Sequence, residues 1–170
     1  AEKQVLDIGC GGGILGEAMA HHGAKVTAID KAEASLSVAK LHLLESKLDI
    51  SYIDSTAEEF AANKPEQFDV VTCLEMLEHV PDPASVVAAC QRMVKPGGLV
   101  FFSTINRNPK SYLFAIVGAE YILNLLPRGT HDYAKLIKPS ELAAWARDSD
   151  LELQDQIGMG YNLFTKRYFL

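Results

Sequence analysis

The sequence predicts an α/β fold with a mostly parallel central sheet and helices on both faces. Three observations carry that expectation. Short apolar, β-rich runs alternate with stretches of helical periodicity along the chain. Asp82-Pro83 has the form of a helix start, with an N-cap acid and a proline at the first helical position. Pro96-Gly97-Gly98 forces a turn into the strand that follows it. Strand–helix alternation of this kind closes through right-handed crossovers and buries the sheet between two helical layers.

The expected strands are Val5–Ile8, Lys25–Ile29, Ile50–Ile53, Phe68–Cys73, Leu99–Thr104 and, more weakly patterned, Leu151–Ile157. Between them the helical stretches run Gly13–His22, Ser35–Ser46, Ala57–Ala62, Pro83–Val94 and Pro139–Ser149. A length of 170 residues suits one domain, residues 1–170, with an apolar insertion at about 107–138. The chain opens a few residues before its first strand and without methionine, so an N-terminal segment and the last strand of the sheet are expected to be missing from it.

Composition narrows the function. The formal net charge is -6, which argues against a nucleic-acid partner, because phosphate neutralisation needs a basic surface. Three cysteines without CxxC spacing fit reduced thiols, not a disulfide frame or zinc site. No signal peptide opens the chain, and no apolar run reaches the ~20 residues of a membrane-spanning helix.

The most informative stretch is Val5-Leu6-Asp7-Ile8-Gly9-Cys10-Gly11-Gly12-Gly13, a strand entering a glycine-rich turn and then a helix. Glycines there admit positive φ and let a ligand approach the backbone. Alone, the run is equally a tight strand-to-helix turn. A dinucleotide fingerprint beginning at Gly9 needs glycine at position 14, where this chain has Ile14, which counts against a nicotinamide oxidoreductase. Asp30 ends the next strand 21 residues beyond Gly9, close to the ~20 that puts a carboxylate on ribose hydroxyls. Asp7, Gly9, Gly11 and Asp30 are therefore the candidate nucleoside-binding residues. Main-chain groups around Ala57, after the third strand, are candidates for the base, while Thr56 and Glu59 have capping-box spacing.

Open parallel sheets bind ligands at the carboxyl ends of their central strands. The fourth run ends there and continues as Leu74-Glu75-Met76-Leu77-Glu78-His79. Glu75, Glu78 and His79 sit at i, i+3 and i+4, so one helical turn would gather them on a single face. Such a group either holds a hard divalent cation such as Mg2+ or uses His79 as a general base steadied by a glutamate. It is also a spacing that can do no more than brace a loop. Either chemical role suits a phenol, whose pKa near ~10 leaves little of it ionised at neutral pH. Further on, Tyr112–Leu126 is apolar and flanked by Arg107, Lys110, Arg128, Lys135 and Lys138. That pattern predicts contact with a membrane surface or a lipid substrate, against the plainer alternative of a core helix.

The D-x-G-x-G-x-G turn with its distal acid resembles that of class I S-adenosylmethionine-dependent methyltransferases. VLDIGCGGG (5–13), VTAIDKA (26–32), FDVVTCLEMLEHVPDP (68–83), VKPGGLVFFSTINRN (94–108), VGAEYIL (117–123), LPRGTHD (126–132) and KLIKPSEL (135–142) together resemble the ubiquinone-biosynthesis O-methyltransferases. The resemblance covers Val5 to about Tyr168; the glycine loop is generic, and the E-M-L-E-H, STINRN, GAEYIL and P-R-G-T-H-D stretches are far more specific. It implies methylation of ring hydroxyls on polyprenylated phenol and catechol intermediates. It also implies S-adenosylmethionine held by Gly9, Asp30 and Leu74, Mg2+ held by Glu75, Glu78 and His79, and Glu75 and His79 as catalytic groups. A cytoplasmic location on the inner face of the membrane follows, beside membrane lipids and other quinone-biosynthesis enzymes. The competing expectations are a methyltransferase for a carbon or nitrogen atom of another small molecule, and a non-catalytic membrane-associated scaffold with this fold.

Overall fold

The computed structural model describes residues 2–63, 65–111, 132–162, 165 and 167–169. In chain order the elements are β1 (Gln4–Ile8), α1 (Ile14–His21), β2 (Lys25–Asp30), α2 (Glu33–Ser46), β3 (Ile50–Asp54), α3 (Ala57–Ala61), β4 (Phe68–Leu74), a 3-10 turn (Leu77–His79), α4 (Pro83–Met93) and β5 (Val94–Ser103). They continue with α5 (Pro109–Ser111), a second 3-10 turn (Tyr133–Lys135), α6 (Pro139–Asp148), β6 (Gly160–Asn162) and β7 (Arg167–Phe169). Every expected strand and helix up to residue 149 is present within a few residues of its expected ends, and the apolar stretch 112–126 lies outside the described residues.

Strands β1 to β5 form one parallel sheet in the order β3-β2-β1-β4-β5. The chain winds outward from β1 to β3 and then restarts at β4 on the other side of β1. The boundary between β1 and β4 is thus a topological switch point, where a crevice opens at the strand carboxyl ends.

Side chains alternate along each strand, so the sheet builds two cores. Leu6 and Ile8 of β1 and Val71 and Cys73 of β4 pack with Val86, Val87, Cys90 and Met93 of α4. Val5, Val26, Ala28 and Ile50 face the other way and meet Met19, Ala20 and Leu43 from α1 and α2. Asp7 lies on this second face, opposite Thr72 in the β1–β4 register, and both are buried. A leucine-to-alanine change in either core, at fully buried Leu6 for example, removes about 2–5 kcal/mol of stability.

Helix ends follow their sequence signals. The Asp82 carboxylate accepts the Ser85 N–H at 3.2 Å, with Pro83 in the first turn of α4. Thr56 caps α3 and Glu59 returns the bond, so the capping box is formed.

Two expectations are corrected. The fifth strand begins at Val94, not Leu99, and Lys95–Gly98 loop out between the pairs Phe68–Val94 and Val70–Leu99. Gly98 is required there because a Cβ would lie 2.9 Å from the Asp69 carbonyl oxygen and 3.0 Å from that of Lys95. The weak strand Leu151–Ile157 does not form; Leu153 and Ile157 are exposed, and among the described residues no strand pairs with this segment. Among the described residues the main sheet ends at β5, and β6 and β7 pair with each other antiparallel.

Candidate functional site

The carboxyl ends of β1 and β2 are knitted together by the glycine turn. Gly9, Gly11 and Gly13 all have positive φ. The N–H groups of Gly9 and Cys10 donate to the Ile29 carbonyl at 2.9 and 3.1 Å. Asp30 then fixes the turn from the other side: one carboxylate oxygen accepts the Gly11 N–H at 2.8 Å, and the second accepts the Ala32 N–H at 2.7 Å. Glycine is needed at position 9 on two counts, since φ is 71° and a Cβ would stand 2.6 Å from Met76 Cγ.

Beneath the turn lies a buried acid. Thr72 donates its hydroxyl to Asp7 Oδ1 at 2.7 Å, whereas Asp7 Oδ2 is buried without a hydrogen-bond partner among the described residues. Burial pushes the carboxyl up to about 6, with the Asp30 charge adding to the rise and the Thr72 hydrogen bond opposing it. An unpaired carboxylate oxygen under a glycine cradle is a costly arrangement for the empty fold. It is the complement of a ligand that carries an ammonium group and needs backbone-close approach, as the amino-acid tail of S-adenosylmethionine does. Cys10 shares this pocket of negative charge; burial first, then Asp7 and Asp30, push its thiol up to about 12. On the far side of β2, Ala57 is buried at the start of α3, and Lys31 bridges Asp54 at 3.0 Å and Glu59 at 3.9 Å.

The turn after β4 differs from expectation in one respect. Glu75, Glu78 and His79 are not on one helical face, because Glu75 has φ 53° and precedes the 3-10 turn that holds the other two. Residue by residue they point to different partners. Glu75 is exposed; its N–H donates to the Ser103 carbonyl at 3.0 Å, and its carboxylate accepts the Ser103 hydroxyl at 2.7 Å. Glu78 is buried and accepts the Thr104 hydroxyl at 3.2 Å and the Ile105 N–H at 3.3 Å. His79 is exposed, its N–H donating to the Met76 carbonyl at 3.0 Å. Among the described residues no group of three His, Cys, Asp or Glu side chains is placed to hold a metal ion. As these side chains stand, the magnesium set expected from the sequence does not fit. Leu74 closes β4 opposite Ser103, half-buried at the edge of the crevice.

Three contributors were absent from the expected set. Ser103 and Thr104 anchor the two glutamates, and Thr72 holds the buried acid. The signal for the first two was available: Ser103 ends the strand next to β4 and Thr104 follows it, at the sheet edge where ligands bind. Thr72 had no such signal, since its partner lies 65 residues away. Behind the turn lies a cavity of about 480 Å3 whose walls come from the 3-10 turn, the start of α4, residues 134–137 and α6.

Glycine turn, distal acid, orphaned buried carboxylate and switch-point crevice together define a class I S-adenosylmethionine-dependent methyltransferase. A methyltransferase-domain family model matches residues 1–156. The ubiquinone biosynthesis O-methyltransferase of Stutzerimonas stutzeri (strain A1501) is 70% identical over 170 residues, spanning 100% of this chain and 73% of that protein. That of Saccharophagus degradans is 67% identical, spanning 100% and 72%. The chain belongs to the ubiquinone biosynthesis O-methyltransferase family. Among solved structures, magnesium protoporphyrin IX methyltransferase from Synechocystis PCC 6803 with bound SAH superposes with a TM-score of 0.73 at 18% identity, covering 98% of this chain and 71% of that one. The cyclase SpnF gives 0.72 at 18% identity, covering 91% and 53%. Likeness at this level speaks for the fold alone.

Proposed function

We propose that residues 1–170 act as one domain that transfers the methyl group of S-adenosylmethionine to a ring hydroxyl of a polyprenylated phenol or catechol in ubiquinone biosynthesis. The observation that carries this is the pairing of an orphaned, buried Asp7 oxygen under the glycine turn with a carboxylate turn at the end of the adjacent strand. The first is a donor site and the second an acceptor site, side by side at the switch point.

When bound, S-adenosylmethionine supplies a methyl carbon already activated by its sulfonium sulfur. Asp7 is assigned to its ammonium group, reached through the Gly9 and Gly11 turn, and Asp30 to the ribose hydroxyls. The backbone at Ala57 and Leu74 flanks the adenine. Glu75 and His79, both exposed at the crevice, face the acceptor. One of them takes the proton of the ring hydroxyl as its oxygen attacks the methyl carbon; the carbon–sulfur bond breaks and its electron pair stays on sulfur. Because the phenol pKa is near ~10, a base here raises the reactive fraction. Alignment by the rigid strand ends supplies much of the remaining acceleration. No step is routed through magnesium, because Glu75 and Glu78 are committed to different hydroxyls.

The acceptor's tail keeps it in a bilayer, so the enzyme is assigned to the cytoplasmic membrane surface, with Arg107, Lys135 and Lys138 toward the lipid head groups and other pathway enzymes nearby. Among the described residues no helix is long and apolar enough to cross a membrane. Methyl transfer from labelled S-adenosylmethionine to a short-chain prenylated catechol tests the assignment, run with Mg2+ and then with a chelator. Labelled ether is expected. Cofactor binding without product on any catechol overturns the acceptor class. Product that vanishes with chelator and returns with Mg2+ overturns the metal-free route.

A further inference from the structure

We infer that Thr72 is a positioning residue through which Asp7 gives up a proton when S-adenosylmethionine binds; this rests on the donor site of the proposed function. Thr72 of β4 stands opposite Asp7 of β1 in the sheet register, and both are buried. Its hydroxyl has two acceptors within reach, Asp7 Oδ1 at 2.7 Å and the Leu6 carbonyl at 3.3 Å. A hydroxyl carries one proton and can also accept. With Asp7 ionised, that proton goes to Oδ1. With a proton on Oδ1 the bond reverses: the carboxyl O–H donates to Thr72 Oγ1, and the hydroxyl turns its own proton to the Leu6 carbonyl. Rotation of one hydroxyl thus satisfies Oδ1 in either form of Asp7, and no heavy atom has to move.

The empty site is poised between the two forms. Burial pushes the Asp7 carboxyl up to about 6, against the Thr72 hydrogen bond and with the Asp30 charge. The other titratable groups around it are the Cys10 thiol on the glycine turn and the Tyr52 phenol on β3, with Glu17 of α1 acting on Tyr52. None of these brings a positive charge. The ammonium group of the cofactor does, and an opposite charge at Oδ2 favours the ionised carboxylate. Binding near pH 6 therefore breaks the Asp7 O–H bond. The electron pair stays on the carboxylate and the proton leaves to solvent. The Thr72 proton swings back to Oδ1, which leaves Oδ2 as the atom free for the ligand.

S-adenosylhomocysteine carries the same ammonium group and has no methyl group to transfer, so it reads binding alone. Its calorimetric titration, repeated in buffers of different ionisation enthalpy, counts the protons released. The protein is expected to release about half a proton per ligand at pH 6 and about none at pH 8. Asp7→Asn should bind more weakly and release none at either pH. Thr72→Val keeps the shape and removes the bond that holds the charged form, so its proton release should persist at pH 7.5. Its affinity should be about tenfold below the parent at pH 6, the scale of one hydrogen bond to a charged group, and should converge on the parent by pH 8.5. Thr72→Ser should follow the parent throughout.

Should Thr72→Val not melt cooperatively, Thr72→Ala is measured in its place and must give the same convergence. An affinity lowered by one factor at every pH would make Thr72 a packing residue and overturn the inference. Binding whose heat is independent of buffer at pH 6 overturns the proton release and leaves the donor site standing. No binding by the parent at any pH overturns the donor site itself, and the coupling with it.

Discussion

Ser103 and Glu75 hold one another from both ends: the Ser103 hydroxyl donates to the Glu75 carboxylate at 2.7 Å, and the Glu75 N–H reaches back to the same hydroxyl oxygen at 3.2 Å. This ring of bonds secures a non-glycine residue at φ 53°, a conformation that costs of order 1–3 kcal/mol and persists where the surroundings enforce it. Ser103→Ala is expected to lower kcat on a prenylated catechol by about tenfold, the scale of one hydrogen bond to a charged group. S-adenosylmethionine affinity should stay within twofold, and Ser103→Thr should recover most of the rate. Glu75→Gln is expected to remove turnover with the same unchanged affinity. Equal loss of rate and cofactor binding in either variant would move Glu75 from the acceptor to the donor site.

Asp7 makes stability and cofactor binding depend on pH in a specified direction. Its carboxyl titrates at about 6 in the fold and near the ordinary 3.8 when unfolded. The folded state therefore holds the proton more tightly. Its contribution is fully present below pH 3.8 and is lost as pH rises through 6, a difference of about 3 kcal/mol by linkage. Asp7→Asn should remove this dependence, so the melting temperature of the variant gains on the parent between pH 4.5 and 7. Calorimetric binding at pH 7.5 should show at least tenfold weaker S-adenosylmethionine affinity in the variant. Parallel melting curves across that pH range would refute the assigned titration.

Gly9→Ala adds two separable penalties. A Cβ at 2.6 Å from Met76 Cγ crowds the acceptor turn, and φ 71° disfavours any side chain. The sum is expected at about 2–4 kcal/mol, read from denaturant midpoints. Adding Met76→Ala removes the Cγ contact but keeps the Met76 Cβ, 2.9 Å from the added carbon, so the double variant is expected to recover only part of the loss.

The three thiols are expected to resist modification. Cys10 is pushed up to about 12, and Cys73 and Cys90 are fully buried side by side in the core, where their contact and burial raise the Cys90 thiol well above its usual range. Colorimetric thiol titration at pH 8 should count none in the native protein and three in denaturant. Rapid labelling of one thiol in the native state would place Cys10 outside the pocket of Asp7 and Asp30.

The sheet was legible because buried parallel strands announce themselves as apolar runs, and Asp82-Pro83 and Thr56–Glu59 mark helix starts by local chemistry alone. The turn at Gly9 and Gly11 and the strand end at Asp30 were legible for the same reason, since each is encoded within a few residues; their contact with the cofactor belongs to the proposal. Glu75 was misplaced because i, i+3, i+4 spacing presumes a helix, and the left-handed Glu75 breaks that premise while its hydrogen bonds run to a different strand. Ser103, Thr104 and Thr72 act across the sheet, where no local spacing points. Leu151–Ile157 failed for the converse reason: an alternating pattern makes a strand only where a neighbour supplies the ladder.

Thr72 and Asp7 stand 65 residues apart along the chain. In synthesis, β1, β2 and β3 emerge early as a three-stranded parallel unit linked by local crossovers, whereas β4 arrives only afterwards to close the other side of β1. Until then the inner edge of β1 carries unpaired backbone groups and Asp7 lacks its hydroxyl partner. Long-range closure of this kind is slow, and until it forms it leaves a strand edge open to stray pairing. On the proposed assignment the cofactor contacts Leu74 of β4 as well as the β1 and β2 ends, so its binding would reward the last step of assembly.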